Sequence, residues 1–275
     1  ASFKQLWEIL VIKAINCSKV IGTKKILDNI NFEVRKGNIF GYLGPNGAGK
    51  TTTIRIAMGL MKPSSGSLHI FGSDIGNNGH LRQRVGILTE NSGLYGNLSA
   101  IDNLKYFGLL YSVKNIEEKA GNLIKLVGLS EYTHQKAGTF STGMKRKLSL
   151  AKSIINDPEV LFLDEPTAGL DPESQKLVRE LILDLAVNRK ITIFLTSHNL
   201  DEVQRICTHI CILNRGKVVV NDSLNNLQAK YSKPAFGIKL SSRELAKKSS
   251  EIIMEANMAS KVEIIEDSIN IIDAK

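Results

Sequence analysis

With 275 residues, 43% of them hydrophobic and 23% charged, the chain can form one large α/β domain and a small appendix, and its composition excludes disorder. Its apolar runs, such as residues 9–12 and 191–195, are far too short to cross a bilayer, so any membrane-spanning part must belong to another chain. The formal net charge of +9 sits upstream of Ser241 and suits a polyanion: a nucleotide, a nucleic acid or an anionic membrane face. Cys17, Cys207 and Cys211 have no zinc spacing; the four-residue interval would let Cys207 and Cys211 share one side of a helix, but three scattered thiols read best as reduced core residues.

Between residues 10 and 222 short apolar runs alternate with longer amphipathic stretches, the pattern of an α/β fold on a largely parallel sheet. Residues 38–43 predict a strand, and residues 51–61 a helix stopped by the turn cluster Lys62-Pro63-Ser64-Ser65-Gly66. Ser99, with Asp102 three residues later, predicts a capping-box start for a helix through Leu110. Ile116, Ala120, Leu123 and Val127 keep helical spacing, and Gly128 follows as a stop. Residues 160–163 and 191–196 are continuous apolar runs, as buried parallel strands require. Between them Leu177, Val178, Leu181 and Leu185 are expected on one face of a helix. Asn214-Arg215-Gly216-Lys217 reads as a hairpin turn. Beyond Tyr231 a strand, a helix over residues 243–258 and one or two strands broken near Asp267 predict a small β-α-β appendix, separated by Ser232-Lys233-Pro234.

Chemistry enters at Gly44-Pro45-Asn46-Gly47-Ala48-Gly49-Lys50-Thr51, which satisfies G-x-x-x-x-G-K-[ST] between a strand and a helix. Its glycines permit the curl that aims successive N–H groups at phosphate oxygens, and the helix N-terminus adds partial positive charge there. Lys50 is expected to reach the β and γ phosphates of ATP and the Thr51 hydroxyl to ligate Mg2+, with Thr52 in the same nucleotide-binding set. Downstream, Val160-Leu161-Phe162-Leu163-Asp164-Glu165 puts two carboxylates at the C-terminal tip of a buried strand, where open α/β sheets bind ligands. Asp164 is expected to hold Mg2+, directly or through water, and Glu165 to orient the attacking water or accept its proton.

On these motifs the chain resembles ABC-type ATPases over residues 11–222. Phe140-Ser141-Thr142-Gly143-Met144-Lys145 stands where that family carries its signature L-S-G-G-Q; Ser141 and Gly143 match it, while Phe140, Thr142 and Met144 depart. The resemblance implies that this helix N-terminus grips the γ-phosphate of ATP held by another subunit, that Asp171 in Ala168-Gly169-Leu170-Asp171 communicates across the dimer, and that His198 contacts the γ-phosphate. Glu90, in Val85-Gly86-Ile87-Leu88-Thr89-Glu90, replaces the glutamine of the family's coupling loop, and a carboxylate cannot donate a hydrogen bond unless protonated. Val20 or Ile21 replaces the aromatic residue that stacks on adenine.

Implied with the family is a P-loop NTPase fold over residues 1–230, beside the small α+β appendix read above over residues 231–275. The fold has a mostly parallel sheet, an antiparallel β portion and a helical subdomain, about residues 91–157, that carries the signature segment. Also implied are a transmembrane permease as partner and a homodimer, or a heterodimer with a similar ATPase, in the ATP-bound state. The place is the cytoplasmic face of the membrane, peripherally, and the type that of drug, antibiotic-peptide or sodium exporters. The competing reading is a soluble ABC-type ATPase acting on nucleic acid or ribosomes. Such relatives carry long coiled coils or two ATPase units, and this chain has neither, so no stable nucleic-acid binding is expected. A kinase or GTPase leaves the signature-like segment and His198 unexplained.

Overall fold

The computed structural model describes residues 9–76, 78–91, 93–231, 235–256, 258–266 and 268–274. The chain divides into two compact units, Ala1–Asp222 and Ser223–Lys275. In the first, a six-stranded sheet has the order β5-β6-β7-β3-β8-β9, with β3 Ile39–Leu43, β5 Val85–Leu88, β6 Val160–Asp164, β7 Thr192–Ser197, β8 His209–Asn214 and β9 Lys217–Ser223. β3, β6 and β7 are buried along their whole length, which explains why their sequences are apolar without alternation. They pair in parallel, with Leu163 beside Leu195 and Leu43 beside Ser197, so their C-terminal ends finish level.

A second sheet, in the order β2-β1-β4, is antiparallel: β1 Leu10–Ile21, β2 Lys24–Arg35 and β4 Ser65–Ile70. β2 alternates buried and exposed residues, as a strand with one face on a core does. Its Phe32 enters the core shared with the parallel sheet, with ring centroids 5.6 Å from Phe40, 5.4 Å from Tyr42 and 5.9 Å from Phe194. Phe194 also lies 5.3 Å from Phe162. Each such pair contributes about 0.5–1.5 kcal/mol beyond the area it buries.

α1 (Lys50–Ala57) leaves β3 through the phosphate-loop segment. α2 (Ala100–Leu110), α3 (Ile116–Leu126) and α4 (Thr142–Ser153) form the helical portion, and α5 (Pro172–Val187) and α6 (Leu200–Ile206) flank β7 in sequence. Ser99 caps α2 by accepting from Asp102 N at 3.1 Å; its hydroxyl in turn donates to the Asp102 carboxylate at 2.6 Å, a closed local loop of two bonds. α3 stops at Gly128, where Gly128 N donates to Lys125 O at 3.1 Å and Leu129 N to Ile124 O at 3.0 Å.

Two helical expectations change. On α5 the buried stripe is Val178, Ile182 and Leu185, while Leu177 is 37% exposed. Neighbouring residues are about 100° apart on a helix, so Leu177 and Val178 cannot share one buried line. Cys207 and Cys211 share no helix: Cys207 ends α6 and Cys211 lies in β8, and both thiols are free and buried.

The second unit holds α7 (Leu224–Tyr231), β10 (Ala235–Lys239), α8 (Arg243–Glu255), β11 (Ala259–Ile265) and β12 (Ser268–Ala274). Its sheet is antiparallel, in the order β10-β12-β11. Ser242 caps α8, accepting from Leu245 N at 3.3 Å. The break expected at Ser232-Lys233-Pro234 and the residue Asp267 lie outside the described residues.

Candidate active site

The loop between β3 and α1 is shaped by what its backbone allows. Gly49, the N-cap of α1, has φ +115°, and a Cβ there would stand 2.6 Å from Leu27 Cδ2 and 3.0 Å from Ile26 O. No other residue type fits both the angle and the space. The loop is pinned by bonds from Ala48 N to Pro45 O at 3.1 Å, Gly216 N to Ala48 O at 3.1 Å and Gly44 N to Ser197 O at 3.3 Å. Lys50 is buried, and its Nζ curls back over the loop to donate to Gly44 O at 2.7 Å and Pro45 O at 3.4 Å.

The β6 tip meets this loop. Asp164 is buried; its Oδ2 accepts from Thr51 Oγ1 at 3.1 Å and its Oδ1 from Thr196 Oγ1 at 2.6 Å. Thr196 reaches it because β6 and β7 pair Asp164 with Thr196. One carboxylate and one hydroxyl thus present hard oxygens side by side at the start of α1. Glu165 follows at φ +50°. Its N–H donates to Thr196 O at 3.2 Å and to Thr196 Oγ1 at 3.1 Å, which fixes the turn. The carboxylate swings back to span two cations or potential cations: Oε1 is 3.2 Å from Lys50 Nζ and Oε2 is 2.9 Å from His198 Nδ1.

Beneath this surface lies a buried acid that the sequence alone does not single out. Glu202, in the first turn of α6, accepts from Ser197 Oγ at 2.9 Å and from the Thr167 hydroxyl. Asn199 caps the same helix, accepting from Asp201 N at 3.0 Å and Glu202 N at 3.3 Å, while its own N–H donates to Ser197 Oγ at 3.0 Å. These bonds lock the Ser197–Asn199 turn that presents His198 and tie it to the segment after Glu165.

A cavity of about 530 Å3 is lined by Pro45, Asn46, Gly47, Gly49, Lys50, Thr51, Thr52, Glu90, Asp164, Glu165, Ala168 and His198, together with Lys24 and Ile26. The last two sit on the β1–β2 hairpin, where Val20 pairs with Lys25 and Ile21 with Lys24. Val20 and Ile21 themselves are about half exposed and do not line the cavity, so Ile26 supplies its apolar wall.

Ser141, Gly143 and Asp171 lie outside this lining. Ser141 is the N-cap of α4 and accepts from Met144 N at 3.2 Å. A Cβ on Gly143 would stand 2.7 Å from Ser174 Oγ, so the α4 start abuts α5. Asp171 caps α5, accepting from Ser174 N at 2.9 Å, and these Ser174 hydrogen bonds hold its carboxyl below the usual range.

The sequence profile of the ABC transporter family matches residues 27–168, from Leu27 through the phosphate loop and Asp164-Glu165 to Ala168. The bacitracin transport ATP-binding protein BcrA of Bacillus licheniformis is 39% identical over 224 residues, covering 81% of this chain and 73% of that protein. Nod factor export ATP-binding protein I of Cupriavidus metallidurans is 36% identical over 220 residues, 79% of this chain and 72% of that protein. Among solved structures, the dimeric structure of a bacterial ABC transporter cassette superposes with a TM-score of 0.69 at 22% identity, covering 78% of this chain and 98% of that one. The chain belongs to the ABC transporter family, as an ATP-binding subunit that hydrolyses ATP.

Proposed function

We infer that the chain energises export through a separate membrane permease, as one half of a dimer closed by two ATP molecules. The observation that supports this best is the split of the site. Lys50, Thr51, Asp164, Glu165 and His198 line one cavity, whereas the Ser141–Gly143 helix start is absent from its lining. A second copy, or a similar ATPase, supplies the missing N–H donors for the γ-phosphate, with Asp171 close to its α4 start, since Gly143 abuts Ser174, which Asp171 caps. The relatives named for bacitracin transport and Nod factor export favour a permease over a nucleic acid as the partner.

Within the cavity, the N–H groups of Asn46, Gly47 and Gly49 to Thr52, which line it, and the Lys50 ammonium bind the β and γ phosphates. Thr51 and Asp164 form the place for Mg2+: two oxygens, one of them a carboxylate already oriented by Thr196, match an ion that takes few protein ligands and fills the rest with phosphate and water. When bound, Mg2+ offsets charge on the phosphates. In this structure the Lys50 ammonium is shared with Glu165. A γ-phosphate competes for that ammonium and frees Glu165 to turn to the attacking water. His198 holds the other carboxylate oxygen and then the γ-phosphate. Once hydrolysis removes the bridging phosphate, the two copies part, and the permease follows that change in population.

The permease contact lies near Glu90 and the following loop. Tyr95, Tyr106, Leu109 and Leu110 leave large apolar surfaces exposed, with Tyr95 and Tyr106 packed edge to face at 4.9 Å. Among the described residues no helix is long and apolar enough to cross a membrane, which fits a peripheral subunit on the cytoplasmic face. Glu165→Gln tests the dimer. It is expected to slow hydrolysis and to elute as an ATP-dependent dimer on size exclusion; a monomer that hydrolyses at the parent rate would overturn the mechanism. Recovery of a permease with the chain from mildly solubilised membranes tests the partner.

A further inference from the structure

α4 carries a buried cation that none of the chemistry above uses. Arg146 stands one turn into the helix that Ser141 caps and is 8% exposed, and its Nη1 donates to Thr89 O at 3.3 Å. A guanidinium keeps its charge, so burying one is strongly unfavourable unless anions face it. Burial lowers its pKa, and the carboxylates of Glu90 and Asp164 oppose that shift, Glu90 first. The topology explains their convergence. β5 and β6 pair in parallel with Leu88 beside Leu163, so the Thr89–Glu90 corner and the Asp164 tip leave the sheet next to each other. α4 lies directly on β5: a Cβ on Gly86 would meet Ser153 O at 2.0 Å.

This arrangement accounts for an acid at position 90. Asp164 is already engaged by two hydroxyls, and a neutral amide at 90 would leave the cation with that one shared carboxylate. We propose that Arg146 is a positioning residue: its guanidinium clamps the Thr89–Glu90 corner to α4, Glu90 is the matching anion, and the clamp passes movement of the Ser141 end of α4 to the Glu90 wall of the cavity. The inference rests on the reading above that the Ser141 end of α4 meets the ATP of a second copy and that Glu90 lines the cavity near the permease contact.

The test is steady-state ATP hydrolysis by the full chain carrying Arg146→Met, Arg146→Lys, Glu90→Gln or Arg146→Met with Glu90→Gln, and with Lys50→Ala and Glu165→Gln as references. Arg146→Met is expected to lower kcat about tenfold while KM for ATP moves less than about threefold, the signature of lost positioning. Arg146→Lys restores part of the rate, because an ammonium at that place still supplies a positive charge and a donor beside the Thr89–Glu90 corner. Glu90→Gln lowers kcat less, and the double variant is no slower than Arg146→Met alone, since both changes loosen the same corner. Single effects that multiply in the double variant, or Arg146→Met turning over within about twofold of the parent, overturn the clamp. If Arg146→Met shows no cooperative melting transition, the same cycle is run with Arg146→Lys, and multiplication there overturns the proposal equally. Full turnover by Lys50→Ala would instead sink the cavity assignment beneath it, whatever Arg146 does.

Discussion

Thr196→Val isolates one bond at the centre of the site. Thr196 is fully buried, and its hydroxyl donates to Asp164 Oδ1 at 2.6 Å while accepting from Glu165 N at 3.1 Å. Valine keeps the shape and removes the hydroxyl. Glu165 N keeps Thr196 O at 3.2 Å, so the loss falls on Asp164, which retains only Thr51 Oγ1 at 3.1 Å. A hydrogen bond to a buried charge contributes about 1.5–3 kcal/mol. Taking about 2 kcal/mol, and about 2–4 °C per kcal/mol for a domain of this size, the melting temperature falls by about 4–8 °C. On the magnesium site proposed above, the same bond orients the Asp164 carboxylate, so half-maximal hydrolysis is expected to require about tenfold more magnesium. Circular dichroism melts and a magnesium titration of turnover read the two effects. An unchanged melting temperature refutes the weight given to the bond; a lower one with an unchanged magnesium requirement refutes the link from Thr196 through Asp164 to the metal.

Three further outcomes are expected. Gly86→Ala drives a methyl to within 2.0 Å of Ser153 O and costs about 3 kcal/mol, read as a lower urea midpoint, because neither the α4 backbone nor β5 can yield cheaply. Burial pushes the Lys152 ammonium down from the ordinary 10.5 to about 8. The unfolded chain therefore binds more protons between those values, and stability rises with pH through that window. Lys152→Met is accordingly more stable than the parent at pH 7, and the gap in melting temperature closes above pH 10.5. Burial also raises all three thiols, Cys17 to about 11 and Cys207 and Cys211 further, so a thiol reagent at pH 8 labels none of them until urea unfolds the chain.

What was readable in the sequence is what depends on neighbours along the chain. Residues 44–51 must be contiguous to curl around phosphate, Asp164-Glu165 announces itself by the apolar run before it, and Ser141 is a helix cap by local rules. What was not readable depends on partners far apart. Thr196 meets Asp164 across 32 residues through strand register, and Lys24 and Ile26 reach the cavity only because a hairpin folds them over the loop. Glu202 reads as an ordinary exposed acid in a helix's first turn, yet the hydroxyls of Thr167 and Ser197 make it a buried one. Arg146 looks like one basic residue among several in Met144-Lys145-Arg146-Lys147, and only its depth separates it from the rest. Of the expected α5 stripe Val178 and Leu185 are buried, while Ile182 takes the place expected of Leu181 and Leu177 is partly exposed, because periodicity alone does not choose between adjacent apolar residues.

The aromatic stack under the parallel sheet bears on quality control. Phe40, Phe162 and Phe194 sit in register on one face, while Asp164 and Thr196 lie two residues beyond Phe162 and Phe194 along the same strands. A one-residue slip of β7 would turn Phe194 to the opposite layer and carry the Thr196 hydroxyl away from Asp164 in the same move. Oily interior and reactive edge are thus gauged by a single ruler. A chain assembled out of step would therefore lose its core packing and its Asp164–Thr196 bond together, so one misalignment disturbs both at once.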